Sequence, residues 1–251
     1  MRANLLSKLG RFLNRNRLGA FQHADCRSRI PKLIHQLWIK PTHLDDIPDD
    51  VVMQVRAWKE LYPDFRHRLW TIDEVAKSLP DARAKRMMGA IGLCRFEAMK
   101  ADIVRLYILQ EFGGFWSDLK VKPIRRWLDD YLDKDVVLIE HFKFALLQDP
   151  AGVLTNNLIG SMPNNRFINF CIDRAHQNIN SRLSTSVCHI AGVKIYMDIL
   201  AEMKGRNEWT SNSIILNSDD VWGRLVELGH GSYSADQRHW SVREKTESIY
   251  L

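Results

Sequence analysis

Cysteine is scarce in this chain: four residues of 251, at Cys26, Cys94, Cys171 and Cys188. None forms a C-x-x-C pair, so a zinc ribbon and a thiol redox motif have no support. So few thiols fit a reducing compartment, and one disulfide in an extracytoplasmic setting stays open. Long apolar runs are missing too. No stretch approaches the roughly 18 consecutive apolar residues of a spanning helix. No internal repeat or low-complexity linker divides the chain. Lysine and arginine exceed acidic residues by six. Outside the N-terminus they are spread out, with no recognition helix and no aromatic-interleaved platform, so nucleic acid is not an expected partner. A basic solvated surface, anionic lipid or an anionic polysaccharide accounts for the charge.

What is present suits one α/β domain: 45% of the residues are hydrophobic and 26% charged, enough for a sizeable core. Residues 1–29 form a basic arm. In it Leu5, Leu6, Leu9, Phe12 and Leu13 recur at helical spacing between Arg2, Lys8, Arg11, Arg15 and Arg17. That pattern fits an amphipathic helix on an anionic membrane surface and equally a helix packed on the domain or a frayed tail. It is too interrupted for a secretory signal peptide. The domain spans 30–251.

Within it, strands are expected at Ile30–Ile39, Phe65–Trp70, Val136–Ile139, Leu154–Ser161 and Ser213–Leu216. Helical patterns cover Val51–Leu61, residues 81–112 with a break around Gly89 and Gly92, Asn164–Asn178 and Ala191–Met203. Thr71 and Glu74 form a capping box. Pro123–Leu132 reads as a connector and Gly229–Trp240 as a loop. Strands alternating with helices argue for an α/β sandwich.

The densest chemistry lies between Lys100 and Lys120. Asp102 and Arg105 sit three apart on one helix face. Gly113-Gly114 can stop that helix by adopting the left-handed conformation. Phe115 and Trp116 open a strand with Asp118 near its end, and strand ends are where α/β sheets bind ligands. An aspartate can accept bonds from sugar hydroxyls, and arginine's fork suits phosphate or a hydroxyl cluster. Taken alone, Asp102 and Arg105 also fit an exposed i,i+3 ion pair worth only a few tenths of a kcal/mol.

Lys100-Ala101-Asp102, Arg105, Leu109, Gly113-Gly114, Trp116 and Asp118 together resemble the glycosyltransferase family with a D-x-D sugar-binding motif. That family includes yeast initiating mannosyltransferases, α-1,4-galactosyltransferases and bacterial capsular polysaccharide transferases. Ile30-Pro31-Lys32 with His35 and Trp38, Tyr62-Pro63-Asp64-Phe65 with Trp70, and Asn156, Ile159, Ser161 and Pro163 extend the similarity over about 30–163. The resemblance implies a GT-A type fold: a Rossmann-like, largely parallel or mixed sheet flanked by helices. It also implies a retaining hexosyltransferase giving an α-linkage. The donor would be a UDP- or GDP-sugar and the acceptor a hydroxyl of a cell-surface glycan or lipid-linked molecule. A cytoplasmic enzyme peripheral to the inner membrane, serving capsule or lipopolysaccharide synthesis, follows from the same reading. A catalytically degenerate nucleotide-sugar or glycan binder and an effector-type enzyme modifying protein are the alternatives.

By the resemblance, Asp102 and Arg105 contact the donor sugar, and acids at 118 and 120 handle the ribose, the donor and a divalent metal, Mn2+ or Mg2+. Asp118 is present, but Lys120 replaces the second acid. Three readings stay open: Lys120 replaces part of the metal's charge, giving metal independence; Asp118 and another acid still hold a metal; or donor binding is lost. Strand geometry would put Asp118 and Lys120 on one side. Trp38 could stack on a nucleobase or anchor the sheet. Asn156 and Asn157 could contact the donor or acceptor, or bond a neighbouring loop. His239 and Trp240 resemble an element closing over the diphosphate, with a surface loop as the alternative. His35, among apolar neighbours, reads as a satisfied core histidine.

Overall fold

The computed structural model describes residues 29–40, 47–141, 154–229 and 240–251. The N-terminal arm (apart from Arg29) and His239 lie outside them. The strands are β1 (Leu33–Leu37), β2 (Arg66–Trp70), β3 (Gly114–Ser117), β4 (Val121–Pro123), β5 (Val136–Glu140), β6 (Leu154–Ser161), β7 (Ile214–Leu216) and β8 (Val226–Leu228). The helices are α1 (Asp49–Leu61), α2 (Ile72–Ser78), α3 (Asp81–Ile91), α4 (Glu97–Phe112), α5 (Arg166–Ser181), α6 (Val187–Ile190), α7 (Val193–Gly205), α8 (Ser218–Val221) and α9 (Trp240–Arg243).

Six strands form one sheet in the order β2-β1-β3-β6-β5-β7. The pairs β1–β2, β1–β3 and β5–β7 are parallel, whereas β6 runs antiparallel to both β3 and β5. The sheet is therefore mixed. Neighbouring residues in its strands face opposite layers, as the period of two requires. Trp116, Val136, Leu138 and Ile159 join the main core under α3, α4, α5 and α7. Phe115, Val137, Ile139 and Leu158 join a second core with Trp58 of α1 and Trp127. The sheet thus carries apolar layers on both faces.

Several local expectations hold. The Thr71 hydroxyl accepts from the Glu74 amide at 3.3 Å, and Glu74 Oε2 accepts from the Thr71 amide at 2.9 Å, closing the capping box of α2. His35 is a satisfied core residue: Trp70 Nε1 donates to Nδ1 at 3.0 Å and Nε2 pairs with the Gly113 carbonyl at 2.9 Å. Burial pushes its pKa down to about 3, so the ring is neutral.

Other expectations need correction. Gly89 lies inside α3, and the helical run breaks at Gly92–Phe96. Gly113 ends α4 at φ 61° and ψ −153°, which is extended rather than left-handed helical. That region is open essentially to glycine alone. Space makes the same demand: a Cβ on Gly113 would lie 2.7 Å from Pro163, and one on Gly114 2.7 Å from Leu33. The three-residue pair β4–β8 is not anticipated, because so short a segment carries no periodicity; β4 ends on Pro123, where the connector is expected to begin, and β8 stops just before the loop expected from Gly229.

Candidate active site

Helix α4 is buried almost all round: Met99 and every residue from Asp102 to Leu109 are inside. Such a helix belongs to a core, so its two charged residues there must find partners. Asp102 and Arg105 have side chains only 9% and 4% exposed and lie 2.6 Å apart, Nη2 to Oδ1. The exposed ion pair is thereby excluded. Arg105 also reaches Asp118 Oδ1 at 3.5 Å, donates Nη1 to the Asn156 carbonyl, and lies 5.1 Å from the Trp116 ring centre. Asn156 donates its side-chain amide to Asp102 Oδ1 at 2.9 Å.

Three elements deliver this cluster. Trp116 faces the α4 layer from β3, and Asp118, two residues on, comes to the same side. Trp116 Nε1 donates to Asp118 Oδ1 at 2.8 Å. The Asp118 amide donates to the Asn157 carbonyl of β6 at 2.7 Å. So β6 holds Asp102 and Arg105 through Asn156 and Asp118 through Asn157. Among the described residues, Asp102 Oδ2 accepts no hydrogen bond, and the Asn157 side chain makes none. These groups remain available to a ligand.

Burial pushes the Asp102 pKa up to about 6, against the pull of Arg105, with Asp118 adding to the rise. For Arg105, burial works against charge, but Asp118 and Asp102 outweigh it and hold the guanidinium protonated. The site carries two carboxylates around one permanent cation.

Lys120 departs from the strand-based expectation. β3 ends at Ser117, and the Val121 amide donates back to the Asp118 carbonyl at 2.9 Å, closing a turn. Lys120 therefore sits in that turn, and the period of two does not place it. Its side chain is half-buried. Among the described residues its ammonium makes no hydrogen bond or ion pair, yet its charge is near enough to favour the ionised form of Asp102.

Trp38 is 8% exposed at the end of β1 and packs with Val51, Val55 and Leu119. It is a core residue beside the Asp118 turn. Trp240 begins α9 and packs against the main core. Two residues escaped the sequence reading. Gln54 of α1 is 7% exposed, and its terminal amide faces the carbonyls of Leu119 and Lys120, which it satisfies when turned so that Nε2 donates to both. Its signal was a polar residue within the apolar stripe Val51, Val55, Trp58. Tyr196 of α7 is fully buried, and its hydroxyl has no partner among the described residues; nothing in its sequence setting marks it.

The described donor set does not fit a divalent cation. Asp118 Oδ1 already accepts from Trp116 and faces Arg105, Lys120 is a cation, and the described residues hold no cluster of three His, Cys, Asp or Glu groups suited to a metal.

A family model described as capsular polysaccharide synthesis protein matches residues 3–250. The chain belongs to that family. This member of the capsular polysaccharide synthesis family is 28% identical over 152 residues to inositol phosphoceramide mannosyltransferase 2 of Schizosaccharomyces pombe, covering 61% of this chain and 40% of the relative. The chain spans well under half the length of the first curated relatives it matches. Among solved structures, the PaToxG glycosyltransferase superposes with a TM-score of 0.53 at 19% identity over 70% of this chain and 71% of that one. The UDP-bound glycosyltransferase domain of the YGT toxin gives 0.52 at 10% identity over 80% and 83%. The family member has the GT-A type fold that the motifs led one to expect.

Proposed function

We propose that this chain is a retaining glycosyltransferase that moves a hexosyl group from a nucleoside diphosphate sugar to a hydroxyl of a cell-surface glycan or lipid-linked acceptor. The observation that carries the reading is the Asp102–Arg105 pair buried beside Asp118 and tied to Asn156, with one Asp102 oxygen and the Lys120 ammonium lacking a partner among the described residues. Hydroxyl-rich and phosphate-bearing ligands need a fixed acceptor and a cation. The mannosyltransferase name of the yeast relative supports a mannosyl donor, and its inositol phosphoceramide substrate supports a lipid-linked acceptor.

In this reading Asp102 Oδ2 accepts from donor sugar hydroxyls, and Arg105 keeps the carboxylate ionised and oriented. Asp118 receives the ribose and Asn157 reaches the donor or acceptor. Trp38, beside the turn, borders the base; Trp240 and His239 belong to the diphosphate end. The bond from the anomeric carbon to the diphosphate oxygen breaks as the acceptor oxygen bonds the same face. The acceptor proton passes to the leaving phosphate oxygen. Lys120 offsets the growing charge on that phosphate, the task a metal performs elsewhere, so the transfer is metal-independent. The basic arm holds the enzyme at the cytoplasmic face of the inner membrane.

The test is transfer from UDP- and GDP-linked sugars to glycan and phosphoinositol-lipid acceptors, with the product anomer read by NMR. Transfer with retained configuration is expected. Inversion overturns the stereochemical part, and donor binding without turnover on any acceptor turns the protein into a nucleotide-sugar binder.

A further inference from the structure

Leu119 and Lys120 lie outside both sheets, and from the strand side only the Gly229 amide, one residue past β8, reaches their carbonyls. Most of the fixing comes from α1. With its amide turned so that Nε2 faces the turn, Gln54 donates to the carbonyls of Leu119 and Lys120, the latter at 3.1 Å. One turn later on the same helix face, Trp58 Nε1 donates to the Val121 carbonyl at 2.8 Å. Three consecutive carbonyls after Asp118 are thus held by two side chains of one helix. The Gly229 amide adds a second bond to the Lys120 carbonyl at 2.7 Å. Gly229 lies against the Gln54 amide: a Cβ there would stand 2.8 Å from the nearer of its two terminal atoms, the oxygen once Nε2 faces the turn. A glutamine in an apolar stripe is costly unless its amide is satisfied, and here its donors are spent on this turn.

We infer that Gln54, backed by Gly229, is a positioning residue for Lys120, setting where the ammonium meets the leaving diphosphate. The inference rests on the donor reading above. Lysine has a flexible four-carbon stem. Its backbone is pinned while its ammonium has no partner among the described residues, which is the arrangement for a charge kept ready for an anion. Gln54 touches no substrate; it acts through Lys120.

The test is calorimetric titration of UDP, GDP and their monophosphates, in EDTA, into the wild type, Gln54→Met, Lys120→Met and the double variant. Methionine keeps the length and the packing but donates nothing. The expected result is an about tenfold weaker diphosphate affinity in Gln54→Met with monophosphate affinity unchanged, and a double variant no weaker than Lys120→Met alone. Additive losses, equal losses for mono- and diphosphate, or no loss overturn the inference while leaving the donor reading in place. A wild type that binds neither diphosphate overturns the donor reading, and the inference with it, before any variant is compared. Should Gln54→Met fail to fold, Gly229→Ala disturbs the same contact and carries the same expectations.

Discussion

Two ionic clusters in this molecule are built from the same parts and behave oppositely. On the surface, Arg126 pairs with Asp129 three residues on, at 2.7 Å, and with Asp64 at 2.8 Å, while Lys32 joins Asp64 at 2.7 Å. In the interior, Arg105 pairs with Asp102 three residues back and reaches Asp118. Arg126 is 40% exposed and Arg105 4%. The Arg126 and Lys32 partners hold the Asp64 carboxyl well below the usual range, whereas burial drives Asp102 up to about 6. The surface cluster is the ordinary case, in which pairing favours the charged form at small net gain. In the interior cluster pairing outweighs the desolvation of Arg105 but offsets that of Asp102 only in part. A fold that keeps an aspartate half-willing to be neutral, one oxygen open, has reason to keep it.

The difference can be broken most forcefully at the two arginines. Arg105→Met leaves Asp102 buried without its cation and Asp118 without its second partner, which should cost about 3–5 kcal/mol of stability and lower donor turnover by about 100-fold or more. The checks are denaturant titration and initial rates. Arg126→Met should leave turnover intact; equal losses at both sites would erase the distinction.

Lys120→Asp comes next. It should weaken nucleoside diphosphate affinity in EDTA by about tenfold or more and make it recoverable with Mn2+. Unchanged, metal-indifferent binding would count against the charge-substitution account.

Acid should separate the clusters more gently. As pH falls through about 6, Asp102 takes up a proton, so the KM for donor should rise, and Asp102→Asn should flatten that rise while being impaired throughout. The sign for stability is the reverse. The folded pKa stands above the ordinary 3.8, so the Asp102 contribution improves as pH drops from above 6 toward 4. Asp64, depressed, stabilises above the ordinary 3.8 and loses that contribution as pH falls below it. Asp64→Asn should therefore give the smallest effect, a slight loss at neutral pH that vanishes in acid, with activity unchanged. Melting curves across pH read both.

The motif that assembles the interior cluster was legible because each contribution is local. Asp102 and Arg105 are one helical turn apart, the Gly113-Gly114 stop is compositional, and Asp118 follows Trp116 by two residues, just past the strand's end. Their burial was not legible: only the packing of α5 and α6 against α4, distant in sequence, decides that the pair is inside. Asn156 illustrates the middle case. An amide in an apolar strand announced a need for partners, but that its side chain serves Asp102 and its carbonyl Arg105 depends on β6 lying beside β3. Lys120 was misplaced because strand periodicity was carried past Ser117, where the chain already turns. Gln54 was missed because its partners are backbone carbonyls, which a sequence does not advertise.

The central claim is that this cluster and Lys120 bind a nucleoside diphosphate sugar without a metal. The most direct measurement is the thermal shift of the purified protein with UDP, GDP and their common sugars, in EDTA and again with Mn2+. Ligand at about 100 times its dissociation constant adds about 2.7 kcal/mol, ample for a clear shift. A shift selective for one base, already full in EDTA, is the predicted result. A shift that appears only with Mn2+, or none under either condition, would contradict the claim.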